Sequence, residues 1–319
     1  RTRLLAALAA VLLWSTNAYA AELALTRMSV GWLLFVQYGV AAAVLLAIRS
    51  APRVRGDGAS PKTRATRQSV EGGDPGPLAL LIGVVGLTGT IFLQYVAFAA
   101  APIVAANVLA YGWPLLAAGW VAATRRSRHA LLSAGLAVIG FGGVALIFTS
   151  PTATAAGSGV GGDATWGYVA ALGSAACMAV YTLGAGGVTT SPTGLLVPAT
   201  LTGTVAAAVL VILADSSSPA VAGMLAAAYI GLGPMAAGYA LWTRAMARGG
   251  AERLSPLGYA TPLLSTVLLL ATGAPATTST IAGVGLVLVC SVGVLAHDRR
   301  ANPDLSECGR PIGRAHSDN

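Results

Sequence analysis

Charge is what this sequence has least of. Asp, Glu, Lys and Arg make up 9% of its 319 residues, while 55% are apolar and the mean hydropathy is +0.74. A soluble domain carries about 25% charged residues, so most of this chain cannot face water. Acidic residues are missing from the interiors of the apolar runs. Glu22, Asp163 and Asp215 fall at or beyond run ends, and the other acids lie in charged connecting segments. The three histidines, His129, His297 and His316, are likewise at run ends or near the C-terminus. These absences leave no nucleophile with a base and no carboxylate pair at depth, which argues against an enzyme. They also leave no buried proton relay and no fixed partner for a cationic substrate. Cysteine is scarce too: Cys177, Cys290 and Cys308 are far apart and lack ligand spacing, so neither a disulfide framework nor a metal site is expected, and no cofactor.

The formal net charge of +8 does not indicate nucleic acid, because the basic residues punctuate apolar runs instead of lining one face with aromatics between them. What the chain does have is long apolar runs. A span needs about 20 apolar residues to cross roughly 30 Å of hydrocarbon. Ten segments qualify: 4–22, 30–48, 78–100, 102–123, 130–149, 165–185, 193–214, 219–243, 255–272 and 279–297. Eighteen of the nineteen Lys and Arg residues fall at alternate span ends, and Arg27 alone lies on the opposite side. By the positive-inside rule both termini are then cytoplasmic, as expected of a multi-pass protein of a bacterial inner membrane.

The first span also has the outline of a signal peptide, with Arg1 and Arg3, an apolar run and Ala18-Tyr19-Ala20. An internal duplication decides for a retained helix. Span 4 contains Leu109-Ala110-Tyr111-Gly112-Trp113-Pro114-Leu115-Leu116, and span 9 contains Leu257-Gly258-Tyr259-Ala260-Thr261-Pro262-Leu263-Leu264. One span earlier in each half, Gly89 and Tyr95 answer Gly233 and Tyr239. Without residues 4–20 the first half would hold four spans against five. An odd number of spans per repeat inverts the second copy, and inverted repeats support alternating access to a central site. The expected fold is therefore all-α and integral to the membrane, with ten transmembrane helices as two inverted five-helix repeats. The expected division is a first repeat over 1–149, carrying a flexible cytoplasmic loop at 50–77, and an outer linker over 150–164. A second repeat follows over 165–297, then a disordered cytoplasmic tail over 298–319.

Leu-Trp-Ser-Thr-Asn in the first span, Tyr-Gly-Trp-Pro-Leu-Leu in the fourth and Gly-Tyr-Ala-Thr-Pro-Leu-Leu-Ser in the ninth resemble the drug/metabolite transporter superfamily, in its EamA-type ten-helix branch. The Tyr-x-Trp-Pro and Gly-Tyr-x-Thr-Pro patterns are similar to those of the YddG-type exporters of aromatic amino acids. The resemblance implies a central cavity lined by helices 1, 3, 4, 6, 8 and 9, with helices 5 and 10 peripheral. The long segment after helix 2 and the alanine-rich helices depart from that type.

At mid-membrane the residues able to recognise a solute are aromatic or carboxamide. The candidates for substrate binding are Trp14, Asn17, Tyr95, Phe98, Asn107, Tyr111, Trp113, Tyr181, Tyr239, Trp242 and Tyr259. Rings stack on an apolar side chain, and amides and hydroxyls can hydrogen-bond a zwitterion without a buried charge. Trp32, Trp120 and Trp166 read as interfacial anchors, and Tyr19, Tyr38, Tyr168 and Tyr229 as packing or belt residues. Pro114 and Pro262 each remove a backbone hydrogen bond and serve as a kink, either static or a hinge. The expectation is export of amino acids, with an aromatic or large neutral preference, by uniport or weak coupling. The small-molecule substrate and membrane lipid are the expected partners, and the sequence leaves the oligomeric state open, a monomer being compatible. The alternatives are a broad drug or metabolite exporter on the same fold and, in a different class, a non-transporting membrane enzyme or scaffold.

Overall fold

The computed structural model describes residues 2–50, 76–125, 164–185, 192–214, 218–246, 257–258 and 260–273, with scattered positions between 135 and 146 and between 278 and 290. Tyr259 lies outside these residues. So, wholly or largely, do the segment after the second span, the fifth and tenth spans, the 150–164 linker and the C-terminal tail.

Every regular element among the described residues is helical. In chain order they are α1 (Thr2–Leu25), α2 (Val30–Ser50), α3 (Pro77–Ala100), α4 (Ile103–Ala110), α5 (Trp113–Arg125), α6 (Ala164–Ala185), α7 (Pro192–Ala214), α8 (Val221–Met246) and α9 (Ala260–Ala271). The pair α4 and α5 forms the fourth span, broken at Tyr111-Gly112. Among the described residues six spans are individually long and apolar enough to cross a bilayer, namely α1, α2, α3, α8 and the stretches Thr165–Gly184 and Thr193–Leu213. The outer surface is as apolar as the interior: Ile212 is 80% exposed and Val221 73%. A helix that is apolar all round belongs in lipid, and the chain is an α-helical integral membrane protein. Trp120 and Trp166 stand on this outer surface. Tyr38 is fully buried and donates its hydroxyl to the Thr88 carbonyl at 3.1 Å.

The helix packing repeats when the two halves are exchanged. α3 lies along α6, and α8 lies along α1; α4 and α5 pack on α6, and α9 packs on α1. α2 crosses α7 at the centre, where α2 also meets α8 and α7 also meets α3. The same exchange holds at atomic detail. α3 and α8 each contain a π-helical stretch, Ile82–Thr88 and Gly231–Gly238. A Cβ added at Gly83 would sit 2.8 Å from the Leu195 carbonyl oxygen, and one at Gly231 would sit 2.5 Å from the Gln37 carbonyl oxygen. Only glycine lets the backbones meet this closely.

These contacts set the register of the repeat. The interval from Gly83 to Gly231 equals that from Tyr111 to Tyr259 and from Pro114 to Pro262. The interval from Tyr95 to Tyr239 is four residues shorter, about one helical turn. Tyr95 and Tyr239 are therefore not equivalent in packing. The position answering Tyr239 is Ile91, one turn before Tyr95. A shift of one turn leaves a residue on nearly the same helix face, which is why the two tyrosines matched in sequence.

Candidate functional site

The polar knot Trp14-Ser15-Thr16-Asn17 explains itself once the helix forms. The Ser15 hydroxyl donates back to the Val11 carbonyl at 2.7 Å, and the Thr16 hydroxyl to that of Leu13 at 2.8 Å. Hydroxyls bonded into their own helix in this way bend it, and α1 has a turn at Thr16. Two side chains flanking the bend, Trp14 and Asn17, point inward and are buried.

They meet a small central cavity lined by Trp14 and Asn17 of α1, Gln37 of α2, Ile91, Gln94 and Tyr95 of α3, Tyr111 after α4, and Ile230, Pro234, Met235 and Tyr239 of α8. The irregular backbone in these helices lies close by: the Thr16 turn, the Tyr111-Gly112 break and the π stretch of α8, which carries Pro234 and Met235. π-helical turns are frequent at functional sites. A proline has no N–H to place in a regular ladder, and the wide turn of α8 accommodates Pro234 while its carbonyl accepts the Trp14 indole N–H at 3.0 Å.

Hydrogen bonds fix most of the polar wall. The Tyr95 hydroxyl donates to Asn17 Oδ1 at 2.6 Å. The Tyr111 hydroxyl reaches the Trp14 carbonyl at 3.4 Å and also faces the Gln94 side chain. Aromatic contacts hold the ring of Trp14, with centroids 5.0 Å from Tyr239 and 5.1 Å from Trp242. No lining residue carries a formal charge, and the described residues contain no cluster of three His, Cys, Asp or Glu able to hold a metal. The cavity volume is about 20 Å³, room for little more than one water.

Of the eleven residues expected from sequence, five line the cavity: Trp14, Asn17, Tyr95, Tyr111 and Tyr239. Five others stand behind the wall. Trp242 and Trp113 are fully buried in a row behind Trp14, the two meeting edge to face with centroids 5.9 Å apart. Phe98 packs on Tyr95 at 5.5 Å, one turn further along α3. Tyr181 packs on Tyr239 at 6.0 Å, and its hydroxyl lies 2.6 Å from the Thr243 hydroxyl. Asn107 turns away and donates to Ser265 Oγ at 3.1 Å. The eleventh, Tyr259, is outside the described residues. Among the described residues the lining therefore comes from helices 1, 2, 3, 4 and 8, with helix 2 added to the expected set and helix 6 absent from it; Tyr259, the candidate from helix 9, lies outside them. Helix 2 enters because Gly231 brings it against α8, and helix 6 is held behind Tyr239.

Pro114 is the second residue of α5 and Pro262 the third of α9. A proline in the first turn costs no hydrogen bond, because that N–H has no partner in any helix. Pro114 thus begins a helical segment, and the expected kink there lies at Tyr111-Gly112; residue 259, before α9, lies outside the described residues. The interior prolines are Pro198 and Pro234.

Sequence reasoning missed Gln37, Gln94, Ile91, Ile230, Pro234 and Met235. A lone glutamine inside an apolar span is a legible signal, and both Gln37 and Gln94 carry it. Arg27, the exception to the charge rule, donates to the Leu23 carbonyl and the Thr26 hydroxyl, both at 3.0 Å. It satisfies a carbonyl left open at the end of α1.

Two packed helical repeats around a central uncharged aromatic site define a polytopic membrane protein of the solute-carrier kind. The chain matches the EamA-like transporter family over residues 1–149 and 165–296, and it belongs to that family. It is 31% identical over 192 residues to a protein of Ancylobacter novellus named aromatic amino acid exporter YddG. That alignment spans 60% of this chain and 66% of the relative, slightly less than two thirds of its length. A solved structure described only as the crystal structure of a protein matches with a TM-score of 0.67 and 26% identity, over 94% of this chain and 98% of its own.

Proposed function

We propose that this chain exports amino acids with aromatic or large neutral side chains across the bacterial inner membrane, with both termini cytoplasmic, by alternating access through the central cavity. The observation that carries the reading is the wall itself, four aromatic rings and three carboxamides with no formal charge. Rings suit an aromatic side chain, and carboxamides suit a zwitterion that brings both charges with it. The name of the Ancylobacter novellus relative supports the same substrate class.

With room for about one water, the wall must part for an amino acid to enter. The helix irregularities near the cavity are where such movement costs least, since their backbone ladder is already interrupted. Rocking of one repeat against the other about the α2–α7 crossing would open the cavity to each face in turn.

The test is counterflow of labelled phenylalanine in proteoliposomes. Trp14→Ala and Tyr111→Ala should each lower uptake at least tenfold, while the protein remains monodisperse in detergent. Full uptake by both variants would refute the site. A panel in which unrelated neutral drugs compete and amino acids do not would replace this reading with a broad exporter.

A further inference from the structure

Most polar groups around the cavity are already committed: the Trp14 indole to Pro234, the Tyr95 hydroxyl to Asn17 and the Tyr111 hydroxyl to the Trp14 backbone. Behind the wall Trp113 Nε1, Trp242 Nε1 and Asn107 Oδ1 are buried without a partner, but among the described lining side chains only Gln37 has buried polar atoms that lack one. Its side chain is fully buried and lines the cavity, and neither Nε2 nor Oε1 has a hydrogen-bond partner. A carboxamide so placed costs free energy, so a group that completes it is called for.

Packing does not demand an amide at this position. The contact between Gly231 and the Gln37 carbonyl is repeated by Gly83 and the Leu195 carbonyl in the other half. Leu195 is buried against Ala79 and does the structural work with an apolar side chain. The same interface therefore forms with leucine, and the amide of Gln37 is additional to it. The Gly231 contact also holds the Gln37 backbone in place, which gives the side chain a fixed origin.

We propose that Gln37 is the specificity-determining residue that holds the polar end of the transported solute. Its Nε2 donates to the α-carboxylate and its Oε1 accepts from the α-ammonium, while the aromatic side chain lies among Trp14, Tyr95, Tyr111 and Tyr239. This inference rests on the amino-acid exporter reading. It adds a prediction about which part of the substrate is read, and by which residue.

The experiment compares phenylalanine with phenethylamine, which lacks the carboxylate, and 3-phenylpropionate, which lacks the ammonium. Each competes against labelled phenylalanine in proteoliposomes, and binding to detergent-solubilised protein is followed by tryptophan fluorescence. Wild type should prefer phenylalanine over both analogues. Gln37→Met, similar in volume and without amide atoms, should shrink that preference about tenfold or more, as expected for losing hydrogen bonds to charged groups. Gln37→Leu reproduces the residue of the symmetric position and serves the same purpose if the methionine variant is not monodisperse. Gln37→Glu should rank phenethylamine above 3-phenylpropionate, because a carboxylate attracts the ammonium and repels the acid. An unchanged ranking in these variants overturns the role of Gln37 while leaving the exporter reading intact. Failure of wild type to bind or move phenylalanine overturns both.

Discussion

Replacing Gly231 with alanine should force α2 and α8 apart. The new Cβ would lie 2.5 Å from the Gln37 carbonyl oxygen, 3.1 Å from the Gln37 Cα and 3.0 Å from the Val40 Cβ. Two of the three opposing atoms are backbone, so no rotamer change relieves the overlap and the helices must shift by several tenths of an ångström. Overpacking of this kind costs about 1–3 kcal/mol, and a backbone obstacle belongs at the upper end. Alanine returns up to about 1 kcal/mol through helix propensity, which leaves a net loss of about 1–2 kcal/mol. At about 2–4 °C per kcal/mol, the melting temperature falls by several degrees. The measurement is a fluorescence melt in detergent, with Gly39→Ala beside it. Gly39 sits on the same α2 with nothing within 4 Å of its added Cβ. That variant keeps the propensity gain without the clash and should melt at or slightly above wild type. The difference between the two variants isolates the contact. If Gly231→Ala melts level with Gly39→Ala, the helices are not packed backbone to backbone and the argument fails.

Trp242→Ala should be destabilising by about 3–5 kcal/mol, since it empties a fully buried site between Trp14 and Trp113. Trp242→Phe should retain most of the stability and of phenylalanine binding, and equal melts for the two variants would refute the role of this aromatic row. Among the described residues none that lines the cavity titrates between pH 6 and 8, so phenylalanine counterflow should be flat across that range and should not accumulate against an imposed pH gradient. Concentrative, gradient-driven uptake would show that a titrating group elsewhere takes part.

Much of the site could be read in sequence, but only by residue type. Trp14, Asn17, Tyr95, Tyr111 and Tyr239 were identified as large or polar groups deep in apolar spans, and they do meet at one cavity. Trp113, Trp242 and Tyr181 have the same chemistry at the same depth and stand one layer behind. Which ring faces the cavity depends on each helix's rotation about its axis. That rotation is set by partners distant in sequence, such as Gly86 against Tyr181 or Gly238 against Trp14. Gln37 shows the converse: as a lone carboxamide in an apolar span it is legible as a polar group at depth, but that it faces the cavity comes from the approach of α8.

Some features of the protein are local enough for sequence alone to determine. An apolar run of about 20 residues must satisfy its backbone internally and therefore becomes a helix across the bilayer. A motif repeated after an odd number of spans implies an inverted duplication, as in the two-part match to the family. The composition of the central wall, uncharged and aromatic, follows from which residue types occur at depth. Tertiary structure decided everything that depends on two helices meeting. The glycine contacts set the register of the repeat, turned Tyr181 and Trp242 into supports, and brought α2 to the cavity with Gln37. Sequence specifies each helix through interactions within a few residues, whereas the cavity is assembled from packing between segments up to and beyond 220 residues apart.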